Sequence, residues 1–163
     1  VDTLVEADQI YRQLSDNPWD LQICGMGPLA TLFQDQAGIT DHGFLQPEAM
    51  RLLMVKSGTL VLSSRFDPWP LIVVEAAAAG LPLLVSESCG SAVELLRPGF
   101  NGIFVPPKTT ASKLADSMLK LSSRRDLVEW GARSRLLAEA YKAETWADRW
   151  LAIVEEIGKG SEC

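Results

Sequence analysis

Histidine and cysteine are scarce in this chain, and their scarcity excludes several kinds of chemistry at once. One histidine, His42, and three cysteines, Cys24, Cys89 and Cys163, are spread through 163 residues with no CxxC pair. That set offers neither zinc-ligand spacing nor an even disulfide framework, and it reads as the reduced thiols of a cytoplasmic protein. No metal or other cofactor is implied. Positive charge is also short: 15 Lys and Arg against 21 Asp and Glu leave a net charge of -6. A nucleic-acid backbone needs a basic face, so nucleic acid is excluded as the main partner, though one nucleotide in a local pocket is not. No apolar run approaches the roughly 20 residues that span a bilayer. No signal peptide opens the chain. Val1-Asp2-Thr3-Leu4-Val5-Glu6-Ala7 reads as a helix under way, and without an initiator Met the chain is expected to start inside a longer protein.

What is present suits a packed domain. Hydrophobic residues make up 47% and charged residues 22%, enough for an ordinary core and too much for general disorder. The length fits one domain over 1–163. Leu4, Ala7, Ile10, Tyr11 and Leu14 recur at three- and four-residue steps, a helix that Asn17-Pro18 ends. Leu21 to Cys24 is a short strand, and Pro28 with Leu29, Leu32 and Phe33 suggests a helix opening behind Gly25-Met26-Gly27. Ile39–Phe44 is a weak strand, Pro47–Val55 a helix and Thr59–Ser63 a buried strand. A helix over Leu71–Gly80, strands over Pro82–Val85 and Gly102–Val105, and a helical turn over Ala92–Leu96 follow. Three helical stretches, Thr110–Leu121, Arg124–Ala140 and Glu144–Ile157, complete the chain. Alternating strands and helices predict a Rossmann-like, three-layer α/β/α domain with a parallel sheet of about five or six strands. Ligands of such sheets bind at the carboxyl ends of the strands, here the loops Gly25–Pro28, Phe44–Gln46, Ser64–Pro70 and Ser86–Ser91.

Two groups of residues in those loops have chemical potential. Gly25 and Gly27 permit close backbone approach, and a following helix would offer N–H groups to an anion; a plain tight turn explains them equally. The second group spans Ser63 to Pro82. Asp67 sits in its loop and Glu75 one turn inside an otherwise apolar helix, with seven residues between them. A carboxylate on such a helix is costly unless paired. It would accept hydrogen bonds from vicinal hydroxyls such as those of a ribose, or cap a neighbouring loop.

The Ser63–Pro82 segment resembles the E-x7-E signature of family 4 retaining glycosyltransferases, the group that includes sucrose and glycogen synthase relatives. Gly25–Pro28 resembles the family's Gly-Asp-Gly-Pro loop, Gly43-Phe44 a strand end near its base site, and Glu94 with Asn101–Pro106 its Glu…Asn-Gly-x-x-Val-Pro ending. The resemblance covers nearly the whole chain and implies the C-terminal, donor-binding half of a two-domain GT-B enzyme. Such an enzyme transfers a sugar from a UDP-, GDP- or ADP-linked donor, with retention, to a glycan or lipid acceptor that the sequence leaves undefined. By position, the resemblance gives Glu75 the ribose hydroxyls and Asp67 the donor-sugar hydroxyls, as the catalytic pair. It places Gly25, Gly27, Pro70, Leu71 and Ile72 near diphosphate and sugar, Phe44 at the base, and Glu94 either at the sugar or as a helix cap. It implies no metal. The N-terminal half, with the family's phosphate-neutralising Arg and Lys and the acceptor site, would precede Val1. The isolated chain is therefore expected to bind nucleotide weakly and transfer nothing. Cytoplasmic location, with peripheral membrane contact through that half, is the matching expectation.

This chain departs from the family pattern at Asp67 for Glu, Pro70 for Gly, Met26 for an acidic residue and Cys89-Gly90 for Gly-Gly. A nucleotide-sugar epimerase of the same architecture and a catalytically dead nucleotide-binding or assembly module are the rival readings; a chain with one histidine serves the epimerase poorly. Among smaller candidates, His42 reads as an edge residue, Arg65 as a solvated loop side chain and Arg124-Arg125 as a solvated helix start. Trp130, Trp146 and Trp150 read as packing residues.

Overall fold

The computed structural model describes residues 1–34 and 36–160; Cys163 lies outside the described residues. The first helix, α1 (Asp2–Leu14), buries Val5, Ala7, Asp8 and Tyr11. Short segments bounded by turn formers, mostly apolar except for the polar β2, give β1 (Leu21–Ile23), β2 (Ile39–Asp41), β3 (Leu60–Leu62), β4 (Leu83–Ser86) and β5 (Gly102–Val105). Between β2 and β3 lies α2 (Pro47–Val55), with Pro47 in the first turn, where a missing N–H loses no helix bond. The next helix, α3 (Leu71–Ala79), ends at Gly80, whose left-handed conformation closes it. After α4 (Gly90–Leu95) and β5 come α5 (Ala111–Ser122), α6 (Leu127–Ala138) and α7 (Ala143–Gly160). The Thr110 hydroxyl caps α5 by accepting the Lys113 N–H.

Two expected helices are shorter. Behind Pro28 only a 3-10 turn, Ala30–Leu32, forms. Leu29 and Leu32 are exposed there and of the segment's large apolar side chains Phe33 alone is buried, too little apolar burial to offset helix nucleation. The sixth helix begins at Leu127 instead of Arg124, because Arg124 folds back to pair with Asp126 and lies 3.9 Å from the centre of the Trp130 ring.

All strand pairs are parallel. Leu21 of β1 lies opposite Ile39 of β2; Leu60 of β3 lies opposite Leu83 of β4, and Leu83 opposite Gly102 of β5. The α/β class and the parallel sheet follow the expectation, but the hydrogen-bonded ladders divide into β1-β2 and β3-β4-β5. Strand β4 is buried throughout and separates two cores, as a central strand of a covered parallel sheet does. Leu83 and Val85 face a cluster with Val73, Ala76, Ala77, Ala92 and Leu95, from α3 and α4. Leu84 faces Ala7, Tyr11, Leu114, Ala115 and Leu121, from α1 and α5. Strand β3, expected to be buried, is only half-buried.

Arg12 ties α1 to the β1-β2 pair. Its guanidinium donates to the Trp19 carbonyl at 3.1 Å, the Asp20 carboxylate at 3.1 Å and the Gly38 carbonyl at 2.6 Å. Among the described residues no helix is long and apolar enough to cross a membrane.

Candidate functional site at the strand ends

The loops after β3 and β4 are fastened to each other. The Asp67 N–H donates to the Ser88 carbonyl at 3.2 Å, and the Gly90 N–H returns to the Asp67 carbonyl at 3.0 Å. The Ser88 hydroxyl donates to the Ser64 carbonyl at 2.8 Å and the Ser91 hydroxyl to the Pro70 carbonyl at 2.9 Å. Gly90 makes this approach possible, because a Cβ there would collide with the Pro68 carbonyl oxygen. The fastening orients Asp67, which is half-buried and whose Oδ1 accepts the Trp69 N–H at 3.2 Å. Beside it the Cys89 thiol is fully buried; burial raises its pKa, and the Asp67 charge adds to the rise.

Helix α3 begins from this clamped loop. Pro70 is its N-cap and no side chain caps it, so the Leu71 and Ile72 N–H groups at the positive end of the helix dipole have no side-chain acceptor. Leu71 and Glu75, four residues apart, share its exposed face, while Val73, Ala76 and Ala77 are buried. Glu75 is therefore in solvent contact, not buried in an apolar surround, so the burial penalty expected for it does not arise. Its carboxylate has no hydrogen-bond or ion-pair partner among the described residues. It is available to a ligand.

On the other side of the site, the Gly25 N–H donates to the Gly43 carbonyl at 2.7 Å, joining the ends of β1 and β2. Gly25 has a φ of 123°, a conformation that side chains oppose. Only the 3-10 turn follows Pro28, so no α-helix N-terminus forms there to meet an anion as expected; Gly25 and Gly27 form an open turn. Phe44 and Met26 stand 63% and 82% exposed at its margin. His42 is held at the β2 edge, with its Nε2 2.7 Å from the Gln22 Oε1. Arg65 is spent on an exposed ion pair with Asp2 at 2.8 Å and is directed toward α1.

Glu94 is exposed and does not cap α4; it lines a cavity of about 600 Å³ with Tyr141, Trp146 and Arg149. Trp69, in the clamped loop, meets the Tyr141 ring at 6.3 Å between centroids. Tyr141 and Arg149 escaped the sequence reading because they lie some fifty residues from Glu94, and only the fold joins them. The aromatic content of Tyr141-to-Trp150 was the one available signal. Asn101 is a structural amide: it accepts from the Arg97 N–H at 2.8 Å and donates to the Leu95 carbonyl and the Ser134 hydroxyl at 2.8 and 3.1 Å.

The fold and the rim define a Rossmann-type domain in which the uncapped start of α3 follows Asp67 and precedes Glu75. The sequence profile described as glycosyl transferases group 1 matches residues 1–143. The chain belongs to the group 1 glycosyltransferases. An uncharacterized glycosyltransferase of Methanocaldococcus jannaschii is 29% identical over 143 residues, covering 83% of this chain and 35% of that protein. The chain thus spans about a third of the length of this curated relative. Sucrose-phosphate synthase from Thermosynechococcus elongatus superposes with a TM-score of 0.80 at 20% identity, over 98% of this chain and 42% of that one. A pneumococcal O-GlcNAc transferase in complex with UDP and GlcNAc gives a TM-score of 0.76 at 20% identity, over 96% and 32%. The shared fold is that of GT-B glycosyltransferases.

Proposed function

We propose that this domain binds the donor of a retaining glycosyltransferase, a nucleoside diphosphate sugar, and forms the C-terminal half of the enzyme. The observation that carries the reading is the uncapped start of α3, presented by a clamped loop with Asp67 before it and Glu75 on its outward face. The N–H groups of Leu71 and Ile72 and the helix dipole would meet the diphosphate, whose negative charge grows as the glycosidic bond to it breaks. Glu75 would accept the two ribose hydroxyls and Asp67 a hydroxyl of the sugar. Gly25 and Gly27 leave room for the donor, Phe44 offers an apolar edge to the base, and Glu94 faces the sugar side. Pro70 has no N–H, so donation to the phosphate starts one residue later than a residue with an N–H would allow. Transfer to an acceptor, a glycan or a lipid, requires the other half of the enzyme.

The pneumococcal relative is seen in complex with UDP and GlcNAc, which makes UDP the first nucleotide to try. Calorimetric titration with UDP, GDP and ADP, with Glu75→Ala beside the parent, tests the reading. Saturable binding of one nucleotide, weakened in Glu75→Ala by about 10- to 100-fold at about 1 kcal/mol for each of two lost solvent-exposed hydrogen bonds, supports it. Equal binding by parent and variant refutes the assignment of Glu75.

A further inference from the structure

The carboxylate of Asp67 is held less firmly than its main chain. The main-chain N–H and carbonyl are both engaged across the clamp, and the residue forms a parallel bridge with Cys89. Its side chain has one hydrogen bond among the described residues, from the Trp69 N–H to Oδ1 at 3.2 Å. Where the carboxylate points therefore depends on where the Trp69 peptide lies. Trp69 stands between Pro68 and Pro70. Each proline fixes its own φ and bars the helical region to the residue before it, here Asp67 and Trp69. The Pro70 carbonyl is tied down in turn by the Ser91 hydroxyl at 2.9 Å and the Val73 N–H at 3.2 Å. With most of the torsions of this span removed, the indole and the peptide N–H of Trp69 move largely together.

The indole lies against the Tyr141 ring, with centroids 6.3 Å apart and planes inclined by 45°, a favourable tilted pair. Trp69 and Tyr141 remain 46% and 37% exposed, and neither belongs to the two buried clusters. The pair is therefore not there to fill the core. Tyr141 is a firm abutment. It ends a 3-10 turn, Glu139–Tyr141, set between α6 and α7. Helix α6 is seated by buried Trp130, Ser134 and Ala138, and Arg135 in its last turn donates to the Ala79 carbonyl at 3.1 Å. The Thr145 hydroxyl closes the turn by donating to the Glu139 carbonyl at 3.2 Å. Helix α3 thus sits behind both halves of the contact: its start follows Trp69, and its end holds the helix that leads to Tyr141.

We propose that Tyr141 is a positioning residue for the donor sugar: through the Trp69 ring it holds the Trp69 N–H where that group orients the Asp67 carboxylate, a role that rests on the donor-binding reading of Asp67. The ring does this. The hydroxyl has no hydrogen-bond partner among the described residues and takes no part. The uncapped N–H groups of α3 and the Glu75 carboxylate lie beyond the Pro70 anchor, so the nucleotide's share of binding does not depend on Tyr141.

NMR of the Trp69 amide tests the coupling without any ligand. In the parent that amide proton should shift as the Asp67 carboxyl ionises, and in Asp67→Asn it should not. Tyr141→Leu should lose most of the shift and Tyr141→Phe should keep it, with the Gly90 amide as protected from exchange in both as in the parent. An unchanged shift in Tyr141→Leu overturns the proposal. So does a Gly90 amide that loses its protection there, which would make Tyr141 a support of the whole clamp, and so does a Tyr141→Phe that behaves like Tyr141→Leu. Where Tyr141→Leu does not fold, Trp69→Leu removes the same contact from the other side and is read at its own amide. Calorimetry with UDP and UDP-GlcNAc reads the consequence. The ratio of the two affinities should fall about fivefold in Tyr141→Leu, as in Asp67→Asn, the worth of one hydrogen bond, while UDP alone changes by less than about twofold. A ratio lowered by Asp67→Asn and unchanged by Tyr141→Leu overturns the positioning. A ratio that Asp67→Asn leaves unchanged, or no binding of either compound, counts against the donor reading instead, and the amide shift alone then decides whether Tyr141 sets the Asp67 carboxylate.

Discussion

Replacing Gly90 with alanine tests whether the two loops at the site are held together as described. The added Cβ meets the Pro68 carbonyl oxygen, a backbone atom that cannot swing aside as a side chain can. Relief requires the 67–70 loop to move, and overpacking of this kind costs roughly 1–3 kcal/mol. The move also stretches the Gly90 N–H bond to the Asp67 carbonyl, 3.0 Å, and the Asp67 N–H bond to the Ser88 carbonyl, 3.2 Å. Each is worth about 1 kcal/mol. If the loop relaxes partway, the total centres on about 3 kcal/mol, which for a domain of this size lowers Tm by about 6–12 °C. Gly27→Ala is the matched control, since a Cβ there meets nothing within 4 Å and the backbone is not left-handed; it should change stability by less than about 0.5 kcal/mol. Calorimetric melting of parent and both variants decides. A Gly90→Ala Tm within 2 °C of the parent, or equal damage from both alanines, would refute the clamp. The clamp also predicts weaker nucleotide binding in Gly90→Ala, because the start of α3 moves with the loop.

Asn101→Leu should cost about 3 kcal/mol in urea denaturation, since it strands the Arg97 N–H, the Leu95 carbonyl and the Ser134 hydroxyl in a buried setting. Asp8 gives a pH dependence of definite sign. Burial lifts its carboxyl above the ordinary 3.8, against the opposing pull of Arg12. The folded state then binds the proton more tightly than the unfolded state, so this contribution to stability is full below pH 3.8 and is lost as pH rises through the raised value. Denaturation midpoints across pH 3–7 should show that decline in the parent and a flatter profile in Asp8→Asn. Burial also raises the pKa of both described thiols, and Cys89 is the more enclosed. Mass-spectrometric alkylation of the native chain should modify Cys24 before Cys89, and Cys89 only after denaturant is added.

Local signals made most of the fold legible. Pro47 and the spacing behind it delimit α2 to the residue, and Gly102–Val105 between turn formers is the observed β5. The segment after Pro28 misled because a proline and three apolar residues satisfy a helix pattern, whereas Leu29 and Leu32 have nothing to pack on. Glu75 misled for a related reason. In a helix built of Leu, Ile, Val and Ala, composition hides which stripe faces outward, and only packing against β4 and α4 reveals that 71 and 75 do. The loop clamp joins positions about twenty residues apart through main-chain pairs and through the Ser88 and Ser91 hydroxyls, whose partners are carbonyls that any residue offers, so it carries no sequence signature. The division of the ladders into β1-β2 and β3-β4-β5 is a property of strand order, and five correct strands in sequence do not disclose it.

The clamp also bears on how donor preference would be re-engineered. Because the 63–70 and 86–91 loops share hydrogen bonds in both directions and meet over a glycine, neither is a self-contained module. A graft of one loop from a relative would arrive without its counterpart and lose the register that places Asp67. Loop exchange should therefore move both segments together, with Gly90 retained, so that the pair is inherited as one exchangeable part.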